Sequence, residues 1–566
     1  MNPWAESVER AGAQRSRLPA PWSVVVTGSR GGGSSPRSSL DSSSEVVALS
    51  ETLSRLLLSA ASSSSHTSPS FRKTRSVAAS AKVAALCSEL LSRNSKLTPS
   101  QLFQPRVNNL TIRPPSPSWA AWCRSFHRLH STMTAPHIAP ILPASSLSPP
   151  DSTTRASLST AASILQSGGL VAFPTETVYG LGASALSESA VRSIYTAKGR
   201  PSDNPLIVHV SSRSMLHDLI PGGAAGVPAM YEPLLTKFWP GPLSLIFPFL
   251  ANSTLSPPKR QVAASVTAGQ PSLAIRMPAH PLALALISEA DLPLAAPSAN
   301  LSSRPSPTTA EHVRQDLGTG RGVGAILDGG ECAVGVESTV VDFVPSLEEG
   351  GLGELRVLRA GGVSAEDLEA CLRDAGFGAV EADGTTGRIR VYARDFRSTT
   401  LEEAPTTPGM KYKHYSPTNA RVVLVRRSIG AALPTLRDLV RITADSSSSP
   451  RRVGLMFTDE TLALCGPCSA TPLTPQCSQL SLSHVSLLDT SFLSYPLGST
   501  LRPLEAAQRL FAGLRYFDSL ETEEGGKVGV DLIMVECVEE SGVGLAVMER
   551  ARKAAGGSGE LEMRVG

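Results

Sequence analysis

A lysine and an arginine stand two residues apart where a predicted helix ends, and they are the first candidates for a site that binds an anion. Lys198 and Arg200 follow apolar residues that recur at spacings of three and four. Thr175-Glu-Thr-Val-Tyr-Gly-Leu-Gly182, a loop rich in hydroxyl groups, precedes that helix. Lysine and arginine neutralise phosphates and carboxylates. The same pattern also describes an ordinary helix end, because a cation there interacts favourably with the helix dipole.

The elements around this pair have the size of one β-α-β unit. Leu170–Phe173 is predicted to be a strand, Ser187 is predicted to cap the helix, and Pro205–Val210 is predicted to be a second strand. Such a unit brings the hydroxyl-rich loop and the Lys/Arg pair to neighbouring strand ends. Ligand sites in α/β sheets gather at strand ends.

Six further segments have the same form, an apolar run interrupted or ended by Ser, Asn, Arg, Thr or Asp. They are Lys237–Phe247, Pro271–His280, Leu292–Asn300, Gly324–Gly330, Gly335–Phe343 and Val357–Gly362. A polar residue at a strand end is usually a turn former. Because six such ends follow one another, with Arg276, Asn300 and Ser338 among them, we predict that they line a single cleft.

Charge and cysteine content argue against several classes of protein. Residues 1–135 contain 16 Lys and Arg against 6 Asp and Glu, whereas the remainder contains 36 against 43. The body of the chain is therefore mildly acidic, which disfavours a general polyanion binder. Eight cysteines in 566 residues form no regular framework, as is typical of a reducing compartment. No apolar run reaches the roughly 18 residues of a membrane span, so we expect no membrane partner.

Residues 1–149 are predicted to be a disordered, low-complexity extension rich in Ser and Arg. Trp122–His130 is free of acidic residues and compatible with a mitochondrial transit peptide, whereas the acidic residues elsewhere in the extension count against a standard presequence. Met133 offers an alternative start that would remove most of the extension. We expect a cytoplasmic protein, and a mitochondrial form is the alternative that the extension leaves open.

One Cys-x-x-Cys pair, Cys465-Gly-Pro-Cys468, is the strongest metal-binding pattern in the chain. No second pair stands at the spacing of a zinc site. We interpret the pair as part of a Ser-, Pro- and Cys-rich surface insertion over 465–482, and Ser446–Ser449 as another. The sequence therefore predicts no metal site held by protein ligands alone.

Six segments carry, in order, a resemblance to a known family. They are FPTETVYGLG, KGRPSDNPLIVHV, FWPGPLSLIF, LAIRMPAHP, APSANLSSRPSPT and GVESTVVDF. On these motifs, residues 150–365 resemble the YrdC-type threonylcarbamoyl-AMP synthases. Within a connecting segment, 366–420, residues 407–417 resemble the linker of the longer members. Residues 421–566 are similar to the small Rossmann-like domain that ends those members.

The residues of this last domain predict an α/β unit on their own. Val422–Val425, Val453–Phe457 and Asp531–Val538 are strand-like, and an apolar stripe within 504–517 and the run Val543–Ala554 are helix-like. We interpret the stripe as core. The domain lacks GxGxxG, so no dinucleotide is assigned. The expected fold class is thus α/β, with a twisted, mixed YrdC-like catalytic domain, a linker and a smaller Rossmann-like domain.

The resemblance implies synthesis of L-threonylcarbamoyl-AMP and pyrophosphate from L-threonine, bicarbonate (or CO2) and ATP. A separate threonylcarbamoyl transferase complex would use this product to form N6-threonylcarbamoyladenosine (t6A) in tRNA. Weak binding of tRNA or double-stranded RNA is a further expectation. Mg2+ is expected to be held mainly by the phosphates, since the motifs contain no cluster of carboxylates. Alignment of the reactants and charge neutralisation would supply the rate, without a covalent protein nucleophile.

The resemblance also implies roles for individual residues. Lys198 and Arg200 match the family's KxR motif and are expected to be the catalytic residues that hold the triphosphate. The positions that contact ATP are Lys198, Arg200, Asn204, Ser272, Asn300, Thr308, Arg359 and Tyr415, and those that hold L-threonine are Thr177, His209, Arg276, Ser298 and Ser338. Arg276 suits a carboxylate, because its planar fork donates two parallel hydrogen bonds.

Two of these assignments have simpler alternatives. His209 also fits a strand histidine bonded to the backbone. The linker run Lys411-Tyr-Lys-His-Tyr415 also fits a solvated basic hinge. The family match implies instead that the linker folds over the cleft and that Tyr415 closes on the nucleotide.

Two other functions fit parts of the pattern. A carbamoyltransferase that uses a carbamoyl-adenylate contains a similar domain, but it needs an acylphosphatase-like segment and paired Cys-x-x-Cys zinc fingers, which residues 1–150 lack. An RNA-binding, translation-regulating module would need a basic face. The body is net acidic and has no RNP or arginine-rich motif. The sequence therefore favours the synthase.

Overall fold

The structure is a computed structural model, and the residues that it describes lie between 137 and 564. They are 137–144, 151–249, 255–345, 353–377, 389–392, 394–398, 414–428, 434–443, 452–464, 491–520, 529–556 and 559–564. Outside these residues lie most of the predicted extension, both predicted insertions with the Cys465/Cys468 pair, and the linker up to Lys413. Among the described helices, none combines the length and the apolar character needed to cross a bilayer.

The first domain is built on a sheet of 11 strands. In chain order the strands are β1 (Ile141–Pro143), β2 (Leu170–Phe173), β3 (Gly180–Ser184), β4 (Val208–His209), β5 (Leu243–Pro248), β6 (Ser272–Arg276), β7 (Leu294–Ala295), β8 (Val323–Asp328), β9 (Thr339–Val344), β10 (Glu354–Arg359) and β11 (Ile389–Val391). Their order across the sheet is β1-β8-β2-β3-β7-β4-β6-β5-β9-β10-β11. Parallel and antiparallel pairs alternate irregularly, so the predicted mixed α/β fold is confirmed.

Eight α-helices of the described residues belong to this domain. They are α1 (Ser152–Gln166), α2 (Glu188–Lys198), α3 (Arg213–Leu219), α4 (Tyr231–Phe238), α5 (Ala264–Thr267), α6 (Pro281–Ala290), α7 (Ala310–Leu317) and α8 (Ala365–Asp374). Their apolar faces and the strands of the sheet share one hydrophobic core. The core leaves the loops at the strand ends to carry polar side chains.

Several predicted strands are shorter in the structure than their apolar runs. The strand Leu170–Phe173 is observed as predicted, whereas Pro205–Val210 contains only β4 and Leu292–Asn300 contains only β7. Prolines explain both, since Pro205 begins the first run and Pro293 and Pro297 flank β7, and proline has no N–H for a sheet.

The second domain is a smaller α/β unit whose strand pairs are all parallel. Its strands are β12 (Arg421–Ser428), β13 (Arg452–Met456), β14 (Ser491–Ser494), β15 (Leu532–Glu536) and β16 (Glu560–Arg564), and their order is β14-β13-β15-β12-β16. Its described helices are α9 (Leu436–Thr443), α10 (Asp459–Leu464), α11 (Pro503–Asp518) and α12 (Gly544–Ala554). The predicted stripe lies on α11, and Leu510, Phe511 and Leu514 are fully buried.

The hydrophobic core of the second domain extends into the first. Val178, Val336 and Ala360 belong to loops of the first domain, yet they pack in one cluster with α11 and α12. Val178 and Ala360 are next in sequence to residues of the predicted site, and Val336 lies two residues before one. The domain boundaries at 365 and 421 stay a prediction, since the two sheets share this packing and 136–566 form one compact unit.

Candidate active site

A hollow of about 750 Å³, measured out to its open mouth, brings most of the predicted site together. Ten of the thirteen predicted residues line it: Thr177, Lys198, Arg200, His209, Arg276, Ser298, Asn300, Ser338, Arg359 and Tyr415. Four cationic side chains among the ten give the hollow an affinity for anions.

The end of α2 positions Lys198 and Arg200. Ser187 caps the helix through a hydrogen bond that its hydroxyl accepts from the Ala190 N–H. At the other end, Gly199 adopts a left-handed conformation (φ +61°), which a residue with a side chain rarely takes. Lys198 is therefore the last residue of the helix, and Arg200 leaves it in a new direction.

Lys198 is buried and Arg200 is partly buried, and neither forms an ion pair with a carboxylate in the described part of the chain. Lys198 Nζ donates to the carbonyls of Ser298 and Asn300, both at 2.5 Å. Arg200 Nη2 donates to the carbonyl of Pro205 at 3.1 Å. Burial, reinforced by the Arg200 charge, holds the pKa of Lys198 well below its usual range. A negatively charged ligand would stabilise both groups.

Arg276 lies at the end of β6 and also lines the hollow. Its Nη1 donates to Thr177 Oγ1 at 2.9 Å and its Nε to the Gly241 carbonyl at 3.1 Å. Its Nη2 forms an ion pair with Glu176 Oε1 at 2.5 Å. A guanidinium has five N–H groups, so two remain for a ligand. Glu176 thus fixes the fork without using all of its donors.

His209 stands beside Arg276, because the two residues are paired in register across β4 and β6. Burial, together with the nearby Arg276 charge, lowers the pKa of His209 to about 3. Its Nδ1 lies 3.3 Å from the Ile207 carbonyl, and the ring also lines the hollow. His209 therefore contacts the backbone, as the simpler alternative predicts, and also lies in the lining of the hollow. Its imidazole is neutral at physiological pH.

Ser298 and Asn300 form the wall next to Lys198. The Ser298 hydroxyl donates to Asn300 Oδ1 at 2.6 Å. The amide of Asn300 donates to the carbonyls of Leu301 and Arg304, each at 2.8 Å. These bonds fix the loop whose two carbonyls also hold Lys198.

A β-bulge sets the position of Arg359. The register between β9 and β10 shifts between Val357 and Arg359, which re-aims the side chain at the strand end. The guanidinium donates to the Ser338 carbonyl from Nε at 3.1 Å and from Nη2 at 2.9 Å, and Nη2 also reaches the Ser338 hydroxyl at 3.1 Å. Burial lowers the pKa of Arg359. Ser338 and Arg359 therefore act as one unit of the wall.

Tyr415, at the end of the predicted linker, closes the lining from the side of the second domain. Its ring packs on Phe511 of α11, with 5.0 Å between centroids and 33° between planes. The backbone of Tyr415 is left-handed, with φ at +67°. The next residue, Ser416, donates its N–H to the Ser303 carbonyl at 3.0 Å. The chain after the linker is thus attached to both domains.

Three predicted ATP-contacting residues, Asn204, Ser272 and Thr308, are not part of the lining. The Thr308 hydroxyl lies 3.4 Å from His312 Nδ1 in the interior. Asn204 Oδ1 and Ser272 Oγ are buried and have no hydrogen-bond partner among the described residues. Buried polar atoms without partners are unusual in proteins. The roles of these three residues stay predictions.

The sequence missed two carboxylates of the site, Glu176 and Glu337. Both lie inside matched motifs, FPTETVYGLG and GVESTVVDF, so the motifs were the signal that could have found them. His414, Ser302 and Ser303 also line the hollow and were not assigned. Within the described residues, no group of three or more His, Cys, Asp or Glu is placed to hold a metal ion.

Comparisons with known proteins identify the family. A family model described as "Telomere recombination" matches residues 163–361, and one described as "Threonylcarbamoyl-AMP synthase, C-terminal domain" matches residues 363–556. The threonylcarbamoyl-AMP synthase of Schizosaccharomyces pombe is 39% identical over 425 residues, which are 72% of this chain and 90% of that protein. The chain belongs to the threonylcarbamoyl-AMP synthase family. The family and the enzyme class predicted from the motifs are confirmed.

Further threonylcarbamoyl-AMP synthases agree with this membership. The Bacillus subtilis protein is 40% identical over 409 residues, 72% of this chain and 95% of its own length. Among solved structures, Sua5 of Pyrococcus abyssi in complex with L-threonine is 34% identical, with a TM-score of 0.54 over 75% of this chain and 99% of that one. The matches therefore extend over nearly the whole length of these relatives.

Proposed function

We propose that this chain makes L-threonylcarbamoyl-AMP and pyrophosphate from L-threonine, bicarbonate or CO2, and ATP. One observation carries the proposal. A single hollow is lined by two cationic sets from different elements, Lys198 with Arg200 and Arg276 with Thr177. The first set lacks a carboxylate among the described residues and suits a triphosphate. The second keeps two guanidinium N–H groups and suits the carboxylate of an amino acid.

The reaction needs the two substrates in line rather than a protein nucleophile. The amine of threonine attacks CO2 and loses a proton, which gives a carbamate. A carbamate oxygen then attacks the α-phosphorus of ATP, and the bond to the bridging oxygen of the β-phosphate breaks as pyrophosphate leaves. Negative charge grows on the transferring phosphate and on the leaving group. We expect Lys198 and Arg200 to neutralise that charge, and the two cationic sets to align the reactants.

Mg2+ fits this scheme as a companion of the triphosphate. Glu337 is the one carboxylate in the lining of the described residues, and its oxygens already contact Ser306 and Arg550. The described residues therefore offer no oxygen cage for the ion, and the phosphates would carry most of its contacts. When bound, Mg2+ would add to the charge neutralisation.

The product is an activated mixed anhydride, so a second enzyme must consume it. We propose that a threonylcarbamoyl transferase complex takes it up for t6A formation in tRNA. Binding of tRNA or double-stranded RNA by this chain rests on the resemblance of its motifs. A filter-binding assay with tRNA at several salt concentrations tests it, because phosphate contacts make such binding salt-dependent.

We propose that the protein acts in the cytoplasm and that a mitochondrial form depends on the N-terminal extension. Trp122–His130, with its arginines and without acidic residues, is the feature that supports such a form. Fluorescent fusions of the full chain and of a chain that starts at Met133 test it. Equal distributions of the two fusions would contradict a role of the extension in targeting.

The test of the activity is release of pyrophosphate from ATP that requires both L-threonine and bicarbonate. Arg200→Ala is expected to abolish it, since a positive charge at the triphosphate is lost. Arg192→Ala is the matched control, because Arg192 lies on α2, the helix that precedes Arg200, and its side chain is 73% exposed. Normal release by Arg200→Ala, or release that does not need threonine, would contradict the proposal.

A further inference from the structure

A buried arginine of the second domain reaches the wall of the active site. Arg550 lies on α12 and is 1% exposed. Its Nε donates to Glu337 Oε2 at 3.0 Å, and its Nη1 donates to the carbonyl of Ala360 and, at 3.3 Å, to that of Ala546. One side chain of α12 therefore contacts two separate segments of the first domain.

Both segments carry residues of the site. Glu337 precedes Ser338 and itself lines the hollow, and Ala360 follows Arg359. Ser338 and Arg359 are joined by three hydrogen bonds between them. Arg550 thus holds the start of one segment and the end of the other, on either side of this bonded pair.

The ion pair between Arg550 and Glu337 matters because Glu337 is negatively charged and lines the site. Burial opposes its ionisation, but Arg550, Arg359 and the Ser306 hydroxyl outweigh burial and lower the pKa of Glu337 to about 2. Glu337 is therefore an anion in the wall of a site that must bind two further anions. Arg550 neutralises it from behind, and its own side chain is not part of the lining.

Without Arg550, the charge of Glu337 would be balanced by the next cation on the same wall. That cation is Arg359, whose guanidinium interacts electrostatically with Glu337 already. A stronger pull from Glu337 would draw Arg359 away from Ser338 and from a bound nucleotide. An unbalanced carboxylate would also repel the phosphates directly.

We propose that Arg550 is a positioning residue for the nucleotide, because it neutralises Glu337 and so keeps Arg359 on Ser338 and available to the ligand. The inference rests on the proposed function, since it takes the ligand beside Arg359 to be ATP. It assigns the second domain a direct part in the electrostatics of the site.

The experiment compares Arg550→Met with Arg552→Met in the full chain. Arg552 lies two residues further along α12, and its ion pairs are with Glu540 and Glu560, both in the second domain. Binding of ATP is measured by calorimetry, and kcat and KM by pyrophosphate release. Arg550→Met is expected to weaken ATP binding and to lower kcat/KM for ATP by about 30-fold or more. Arg552→Met is expected to stay within about twofold in both, because exposed ion pairs contribute little.

The double variant Glu337→Gln/Arg550→Met separates charge from packing. Removing the carboxylate as well removes the unbalanced charge, so the double variant is expected to regain about tenfold in ATP affinity over Arg550→Met. Circular dichroism and thermal unfolding check that each variant is folded.

The possible outcomes distinguish the inference from the proposed function. A double variant that binds ATP as weakly as Arg550→Met, or an Arg550→Met variant that binds like wild type, would overturn the role given to Arg550. A wild-type chain that binds ATP without releasing pyrophosphate would contradict the proposed function, and the binding series would still decide the inference.

Discussion

At Gly335 the backbone of the first domain lies close to the backbone of α11, and substitution of this glycine by alanine tests whether the seating of the two domains controls activity. The residue has φ at +77°, and its N–H donates to the Thr177 carbonyl at 3.0 Å. A Cβ on Gly335 would lie 2.3 Å from Gln508 Cα and 2.5 Å from the Ala507 carbonyl oxygen. Both atoms belong to the backbone of α11, which cannot rotate away as a side chain would.

The size of the effect follows from two terms. A left-handed conformation costs a residue with a side chain about 1–2 kcal/mol. Overpacking against a rigid backbone costs about 1–3 kcal/mol more. Restoring an ordinary carbon–carbon contact requires α11 to move back by about 1 Å. We therefore expect Gly335→Ala to lower the free energy of unfolding by roughly 2–5 kcal/mol.

The same displacement of α11 should also lower the rate of the reaction. Phe511 lies one turn further along α11 and supports the ring of Tyr415 in the lining. A misplacement of about 1 Å can cost on the order of 100-fold in rate. Pyrophosphate release by Gly335→Ala is therefore expected to fall by that order, and unfolding is measured in urea by fluorescence and circular dichroism.

Gly322→Ala is the matched control for this experiment. Gly322 has φ at +75°, but no atom lies within 4 Å of the Cβ that alanine would add. Gly322→Ala carries only the cost of the left-handed conformation. We therefore expect it to lower the free energy of unfolding by about 1–2 kcal/mol and to leave activity near normal. Equal stability and equal activity of the two variants would refute the argument that the domain contact governs the site.

Two other features of the structure give testable expectations. Phe511→Ala removes the ring that packs on Tyr415, so it is expected to lower the free energy of unfolding by about 3–5 kcal/mol and to raise KM for ATP several-fold. Phe517 lies in the same core but makes no ring contact with Tyr415. Phe517→Ala should therefore lower stability by a similar amount and leave KM unchanged. Burial lowers the pKa of His209 and of His312 to about 3, so both are neutral in the folded state and take up a proton on unfolding below pH 6.5. The free energy of unfolding contains the full contribution of each neutral histidine above that pH. This contribution is lost as the pH drops toward 3, and the loss is about 2 kcal/mol per histidine at pH 5. Urea midpoints at pH 7.5, 6 and 5 measure the fall, and unchanged midpoints would contradict it.

The sequence predicted best the features that short stretches of chain determine. The helix that ends at Lys198 is one, because Ser187 and Gly199 specify its two ends locally. The grouping of Arg276 and Asn300 is another, since the motifs predicted it, although Arg276 ends β6 and Asn300 lies in the loop that follows β7. The lengths of β4 and β7 were overestimated, because apolar runs do not show which of their N–H groups a neighbouring strand can reach.

Contacts between distant parts of the chain were not predicted. Glu337 and Arg550 are 213 residues apart, and neither the helical period of α12 nor the strand pattern of β9 indicates an ion pair. The ion pair between Glu176 and Arg276 is also distant in sequence, although both residues lie inside motifs. Such pairs depend on how distant segments of the chain pack together, which charge and periodicity do not encode.

The hydrophobic cluster that spans both domains also limits how this chain can be shortened in evolution. Val178, Val336 and Ala360 sit on the loops that carry polar site residues, and α11 and α12 cover them. A descendant that lost its second domain would expose these three apolar side chains to solvent beside the site. In such a descendant we expect polar side chains at these positions, or another surface that covers them.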